Sequence, residues 1–213
     1  MLKKFALTTA LSFSVLLLLF SSASAAISFS YSEGVWGRVD DGYDGIVFDV
    51  VGVIGEDPGS AWSSGTKSTQ NQTLTRNATV CTHDPDGDGT LGEWSGGAGA
   101  FYTGLGDHDF DEQNACSWQG LFISEYIEGA TNKDYDAIEI YNNMGQAVDL
   151  SPFSIQIYND GSDTPSVNIS LNGKTIQNNS TFVITRRNTP GVSADLITSS
   201  LSFTGNDAVA LVR

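Results

Sequence analysis

The chain has 213 residues, with Lys+Arg 10 against Asp+Glu 25 and a formal charge of −15. Nonspecific binding to nucleic acid depends on Lys and Arg displacing counterions, so a surface this acidic argues against a nucleic-acid partner and against anionic lipid. At 40% hydrophobic and 10% aromatic the chain is too apolar to stay disordered, and its 23 glycines point to many tight turns.

Met1 to Ala25 has a basic start at Lys3 and Lys4, an apolar stretch ending at Phe20, and a small-residue Ala23-Ser24-Ala25 exit. This is the pattern of a secretory signal cleaved before Ala26. The apolar stretch is short for an uncleaved membrane anchor, and no later run is long enough to span a bilayer. Residues 26–213 are then expected to form a single domain that is secreted, extracellular or periplasmic. Without the two signal lysines, 8 basic residues face 25 acidic ones, a charge of −17. Export also permits disulfides. Cys81 and Cys116 are the only cysteines, and one bridge between them is the simplest use. It would close a loop of 35 residues and contribute roughly 3–4 kcal/mol by chain entropy. Two buried thiols or a zinc site are the competing readings. Zinc is disfavoured because His83 and His108 are the only histidines and no second Cys pair exists.

Periodicity along the rest is that of strands. Ile46–Val51 is a β-branched run between Gly45 and Gly52, and Leu121–Ile127 stops before Gly129. Ala137–Tyr141 and Phe153–Tyr158 alternate apolar and polar residues, and Val167–Leu171 alternates into Asn172-Gly173, a hairpin signal. Thr181–Thr185 and Ala208–Val212 complete the set. Alternation predicts sheets with one face on a core and one in water, and the spacing without helical segments predicts an all-β sandwich. Residues 79–120 hold both cysteines, both histidines and the densest Gly and Asp; they read as a long connector.

Within that connector, Asp84-Pro85-Asp86-Gly87-Asp88-Gly89-Thr90 has the D-x-D-x-D-G spacing of calcium loops. Carboxylates at alternate positions can converge on one hard cation, so the expected ligands of a Ca²⁺ ion are Asp84, Asp86, Asp88, Thr90 and Glu93. The pattern departs from an EF-hand, because position 12 is Ser95 and no helix flanks the loop. The competing reading is an acidic loop whose turn chemistry alone explains Asp and Gly. Asp109, Asp111 and Glu112 beside His108 read as surface charge near a turn rather than a second cation site. Glu125, Glu128, Asp136 and Glu139 read the same way, with Glu139 expected to face water or the sheet edge. No Gly-x-Ser-x-Gly elbow or phosphate-cradling loop is present, so no catalytic residues are assigned. Trp36, Trp62, Trp94 and Trp118 are expected in the core or anchoring loops rather than stacking on sugars. Sequons such as those at Asn71, Asn77, Asn168 and Asn179 matter only in a glycosylating pathway.

Two stretches resemble the lamin-tail domain, an immunoglobulin-like β-sandwich also found in secreted bacterial proteins. Residues 121–213 resemble its first half through LFISEYIEG (121–129), AIEIYN (137–142), VDLSPFSIQIYNDG (148–161), TFVIT (181–185) and SLSFTGNDAVALVR (200–213). Residues 46–94 resemble its second half through IVFDVVGVIGEDPGSAW (46–62), STQNQTLTR (68–76) and Glu93-Trp94. The segment ending Leu105-Gly106-Asp107-His108 is similar to the end of the same domain. The halves stand in swapped order. Three explanations compete: a circular permutation whose old ends are joined by residues 79–120, strand exchange between chains, or pieces of two tandem domains. Under the first, Ile46–Val51 pairs with Asp207–Val212 inside one molecule, since cuts at loop tips are tolerated. The resemblance implies an exported, non-catalytic module that binds an extracellular protein or polysaccharide, monomeric unless strands are exchanged. The alternative is an accessory piece of a secreted metal-dependent nuclease or phosphatase.

Overall fold

The computed structural model describes residues 45–87, 91–109, 120–129 and 135–213. The expected signal, Trp36 and Trp118 lie outside the described residues. Strands follow in the order β1 (Val47–Val51), β2 (Ser63–Ser64), β3 (Lys67–Ser68), β4 (Gln72–Arg76), β5 (Trp94–Ala98), β6 (Leu121–Ile127) and β7 (Ala137–Asn142). Then come β8 (Val148–Asp149), β9 (Ser154–Tyr158), β10 (Val167–Ser170), β11 (Thr175–Ile176), β12 (Ser180–Thr185), β13 (Leu196–Ile197) and β14 (Ala208–Val212). Among the described residues no helix is long and apolar enough to cross a membrane.

A four-stranded sheet in the order β1-β14-β9-β10 faces a six-stranded sheet in the order β13-β12-β7-β6-β4-β5. Apolar residues at every second position supply the space between them. Ile155, Ile157, Val209 and Leu211 come from the first sheet; Leu74, Ile123, Ile138, Ile140 and Ile184 come from the second. The fold is an all-β, immunoglobulin-like sandwich.

The last strand of the chain does pair with the first described one. β1 runs antiparallel to β14, with Asp49 opposite Leu211, Val50 opposite Ala210 and Val51 opposite Val209. Beyond the ladder, Ile46 and Arg213 exchange both backbone hydrogen bonds, N–H of Ile46 to O of Arg213 at 2.7 Å and the reverse at 2.9 Å. The hairpin turn that would join such strands is not needed for them to zip. Segment 46–94 also supplies β4 to the opposite sheet, so it contributes to both layers.

Several expectations need correction. Trp94–Ala98, inside the expected connector, is a strand paired with β4 from Gln72↔Ala98 to Arg76↔Trp94. Its Ser-Gly-Gly stretch lacks alternation because an edge strand with exposed residues buries little. Asn172-Gly173 does make a tight turn, with Lys174 N–H donating to Leu171 O at 3.1 Å, but the strand beyond it leaves β10 and pairs β11 with β8. The rule of one wet face also fails: β6, β7 and β14 are buried on both sides. On the four-stranded sheet, Trp62 folds back over Val47, Val50, Ala208 and Ala210 as a second apolar cluster. On the six-stranded sheet, residues 101–109 lie across the outer face, with Gly106 N–H donating to Glu139 and Thr181 Oγ1 to Gly106 O.

Candidate functional site

A densely connected polar group is Asp49, at the bulge of β1, with no exposed surface. Arg76, the last residue of β4, places Nη2 2.7 Å from Oδ1 and 2.6 Å from Oδ2. Asp49 also accepts the backbone N–H of Asp84 at 2.6 Å and of Ile123 at 2.7 Å. Burial pushes the Asp49 carboxyl upward, and the Arg76 guanidinium with the two backbone donors pulls it back. Arg76 is itself saturated. Nη1 donates to Glu93 Oε2 at 2.6 Å, Nε to Ile123 O at 3.1 Å, and the guanidinium lies 4.5 Å over the Trp94 ring. Composition and motif searching pass over this pair; its one sequence signal is an acid set in the apolar run Ile46–Val51.

The expected calcium loop starts beside this pair. Asp84 donates its N–H to Asp49 and its O accepts from Val50, which pins the loop to β1. Its side-chain Oδ1 turns inward and accepts the N–H groups of Asp86 at 3.2 Å and Gly87 at 3.1 Å, an Asx turn. Gly87, at φ +48°, packs so close to the backbone of Gly52 that a Cβ would lie 2.1 Å from its carbonyl oxygen. Glu93, across a shallow opening from Asp84, is bound by Arg76, and burial raises its carboxyl. Asp88 and Thr90 lie outside the described residues. Among the described residues, no three His, Cys, Asp or Glu side chains converge on a common point. Of the five expected ligands the structure thus places three, and gives Asp84 and Glu93 protein partners of their own. Cys81 is buried, with its carbonyl facing Asn143 Nδ2 at 3.5 Å; Cys116 lies outside the described residues.

A second polar centre sits on the outer face of the six-stranded sheet. Glu125 and Glu139 face each other across β6 and β7 at the β6 bulge. Both are buried, against the expectation of solvated charge, and residues 101–109 reach Glu139 through Gly106. Glu139 accepts from Ser124 Oγ at 2.6 Å and Gly106 N–H at 2.5 Å. Glu125 Oε1 has no hydrogen-bond partner among the described residues. Burial, with the neighbouring Glu139, pushes the Glu125 carboxyl up to about 8, so it is protonated at neutral pH. Glu128 and Asp136 are buried too: Glu128 accepts the N–H of Asn71, and Asp136 accepts those of Gly129 and Phe203, both at 3.2 Å. Alternation alone cannot reveal such acids, because loops rather than strands hide them. Asp111 and Glu112 lie outside the described residues.

Trp62 and Trp94 are core residues, as expected. Exposed aromatic surface is found elsewhere. Phe101 is 60% and Tyr135 46% exposed, and the Tyr102 ring, next to Phe101, lies 5.9 Å from that of Tyr135.

Compared with known proteins, residues 116–213, a little under half of the chain, match the family described as Lamin Tail Domain. No curated protein and no solved structure gives a significant match. The family match and the strand order together support a lamin-tail domain, of the immunoglobulin-like sandwich class, in the C-terminal part of this chain.

Proposed function

We propose that the chain is an exported, non-catalytic recognition module, a lamin-tail-like sandwich whose two halves are circularly permuted. The observation that carries this reading is the antiparallel ladder of β1 on β14 within one molecule. Segment 46–94, which lies outside the family match, completes both sheets of the matched part and leaves it no open half-sandwich. A closed scaffold of this kind presents its loops, and fold alone does not fix what they bind. The exposed Phe101, and the exposed Tyr135 with its ring against Tyr102, supply the aromatic, partly polar surface that suits recognition of an extracellular protein or a polysaccharide.

The test is capture on arrays of extracellular proteins and polysaccharides by the purified chain. We expect binding that Phe101→Ala with Tyr135→Ala removes while the melting temperature stays within about a degree, since both side chains are exposed. Binding that survives the double substitution rejects this surface. Divalent-metal-dependent cleavage of DNA or a phosphate ester would instead favour the nuclease or phosphatase reading. The Cys81–Cys116 bridge belongs to the same proposal: an alkylating reagent should add two groups only after reduction.

A further inference from the structure

The segment of residues 101–109 forms a strap over the outer face of β6 and β7, and its grip is polar at one point and aromatic at another. The polar point is Gly106, whose N–H donates to Glu139 and whose carbonyl accepts from Thr181 Oγ1 at 3.0 Å. The aromatic point is His108, 8% exposed, with its ring centroid 4.8 Å from that of Tyr141 and 5.8 Å from that of Phe122. Among the described residues, neither Nδ1 nor Nε2 of His108 has a hydrogen-bond partner. A neutral imidazole tolerates this setting as a flat, mostly apolar ring. An imidazolium would be a buried charge with two unsatisfied donors.

We propose that His108 is an acid-sensitive latch: protonation of its imidazole releases the strap and uncovers Phe122 and Tyr141. The charged and titratable groups around it do not supply a ready counter-ion bond. Asp107 and Asp109 flank His108 on the strap; Glu125 of β6 and Glu139 and Tyr141 of β7 share the covered face. Arg76 of β4 opposes a positive ring, and burial opposes it more, so the imidazole is held down to about 4. A released strap would return His108 to the ordinary value of 6.5, which ties opening to acid between those limits. The inference concerns the cover of the sheet and is independent of what Phe101 and Tyr135 bind.

The test is peptide-resolved hydrogen exchange of the full protein from pH 7 to pH 3.5, with intrinsic rates corrected for pH. Protection of the Gly106 and Asp107 amides should fall between pH 6.5 and pH 4, and by more in Glu139→Gln, which removes a covered carboxyl whose protonation favours the closed strap, while β7 and β12 keep theirs. His108→Phe, which keeps an aromatic ring but takes no proton, should hold the strap closed over the same range. Unchanged protection in the wild type overturns the proposal. So does equal opening of His108→Phe, which would place the trigger on a group other than His108. If His108→Phe does not fold, the NMR titration of His108 in the wild type decides: a midpoint near 4 coinciding with strap release supports the latch, and one near 6.5 overturns it.

Discussion

Arg76 and Asp49 form a two-oxygen ion pair wholly inside the protein, with side chains 1% and 0% exposed. The pair links the two layers, since Asp49 stands on β1 of the four-stranded sheet and Arg76 on β4 of the six-stranded one. Through Ile123, which donates its N–H to Asp49 and offers its carbonyl to Arg76, it also fastens segment 46–94 to the matched C-terminal part. A bulge lies at each contact: the register shifts between Val47 and Asp49 in β1, and between Ile123 and Glu125 in β6. Bulges free backbone groups from the ladder and turn side chains, and here they aim one carboxylate at a guanidinium and at an N–H of the facing strand.

Breaking this pair from one side leaves the other charge buried without its partner. Arg76→Met or Asp49→Leu should each lower stability by about 3–5 kcal/mol. The double variant should be less destabilised than the two losses added together, because neither charge is then stranded. Urea unfolding midpoints of the three variants measure this. Additive losses would show that the contacts act independently.

Gly52 closes β1 at φ +86°, and a Cβ there would lie 2.5 Å from the Trp62 ring. Gly52→Ala should therefore cost about 2 kcal/mol, from the left-handed backbone and the displaced indole together. In a Trp62→Ala background the clash part disappears and the added cost should drop by about half. Equal costs in both backgrounds, read from thermal melts, would assign the whole effect to the backbone.

The strands were largely legible before the structure. β6 and β14 follow the runs Leu121–Ile127 and Ala208–Val212, because β-branched and aromatic residues bounded by glycine leave little else for the chain to do. What alternation hides is whatever loops do to the faces it labels polar. Glu139 between Ile138 and Ile140 reads as solvent-facing, yet a strap remote in sequence buries it. Arg76 likewise ends a polar-looking QTLTR and proves to be among the most buried large side chains. Long-range covers and ion pairs have no local period, so only the folded arrangement exposes them.

The acidic loop can be tested by metal removal. Glu93 is held by Arg76, so a calcium ion on this loop would draw on Asp84, Asp86 and Asp88. With a dissociation constant near ~0.1 mM, ~10 mM calcium should add roughly 2.7 kcal/mol of stability over a chelated sample. Asp86→Asn should abolish that difference, whereas Glu93→Gln should lower stability in both samples and keep it. No change on adding chelator would reduce Asp84–Gly87 to the turn its hydrogen bonds already make.

Glu125 sets the pH response on the alkaline side. Its carboxyl titrates near 8 in the folded protein and near the ordinary 4.5 when unfolded. Between those values the folded chain keeps a proton that the unfolded chain releases, so raising the pH favours unfolding. The stabilising effect is complete below about pH 4.5, declines as pH rises, and is gone above about 8. The slope from this one group reaches at most about 1.4 kcal/mol per pH unit. Glu125→Gln keeps the shape and removes the titration. Its urea midpoint should vary less between pH 5 and 8.5 than the wild type's, and the variant should be the more stable of the two at pH 8.5. Parallel pH profiles for the two proteins would mean that Glu125 reaches water in the folded protein.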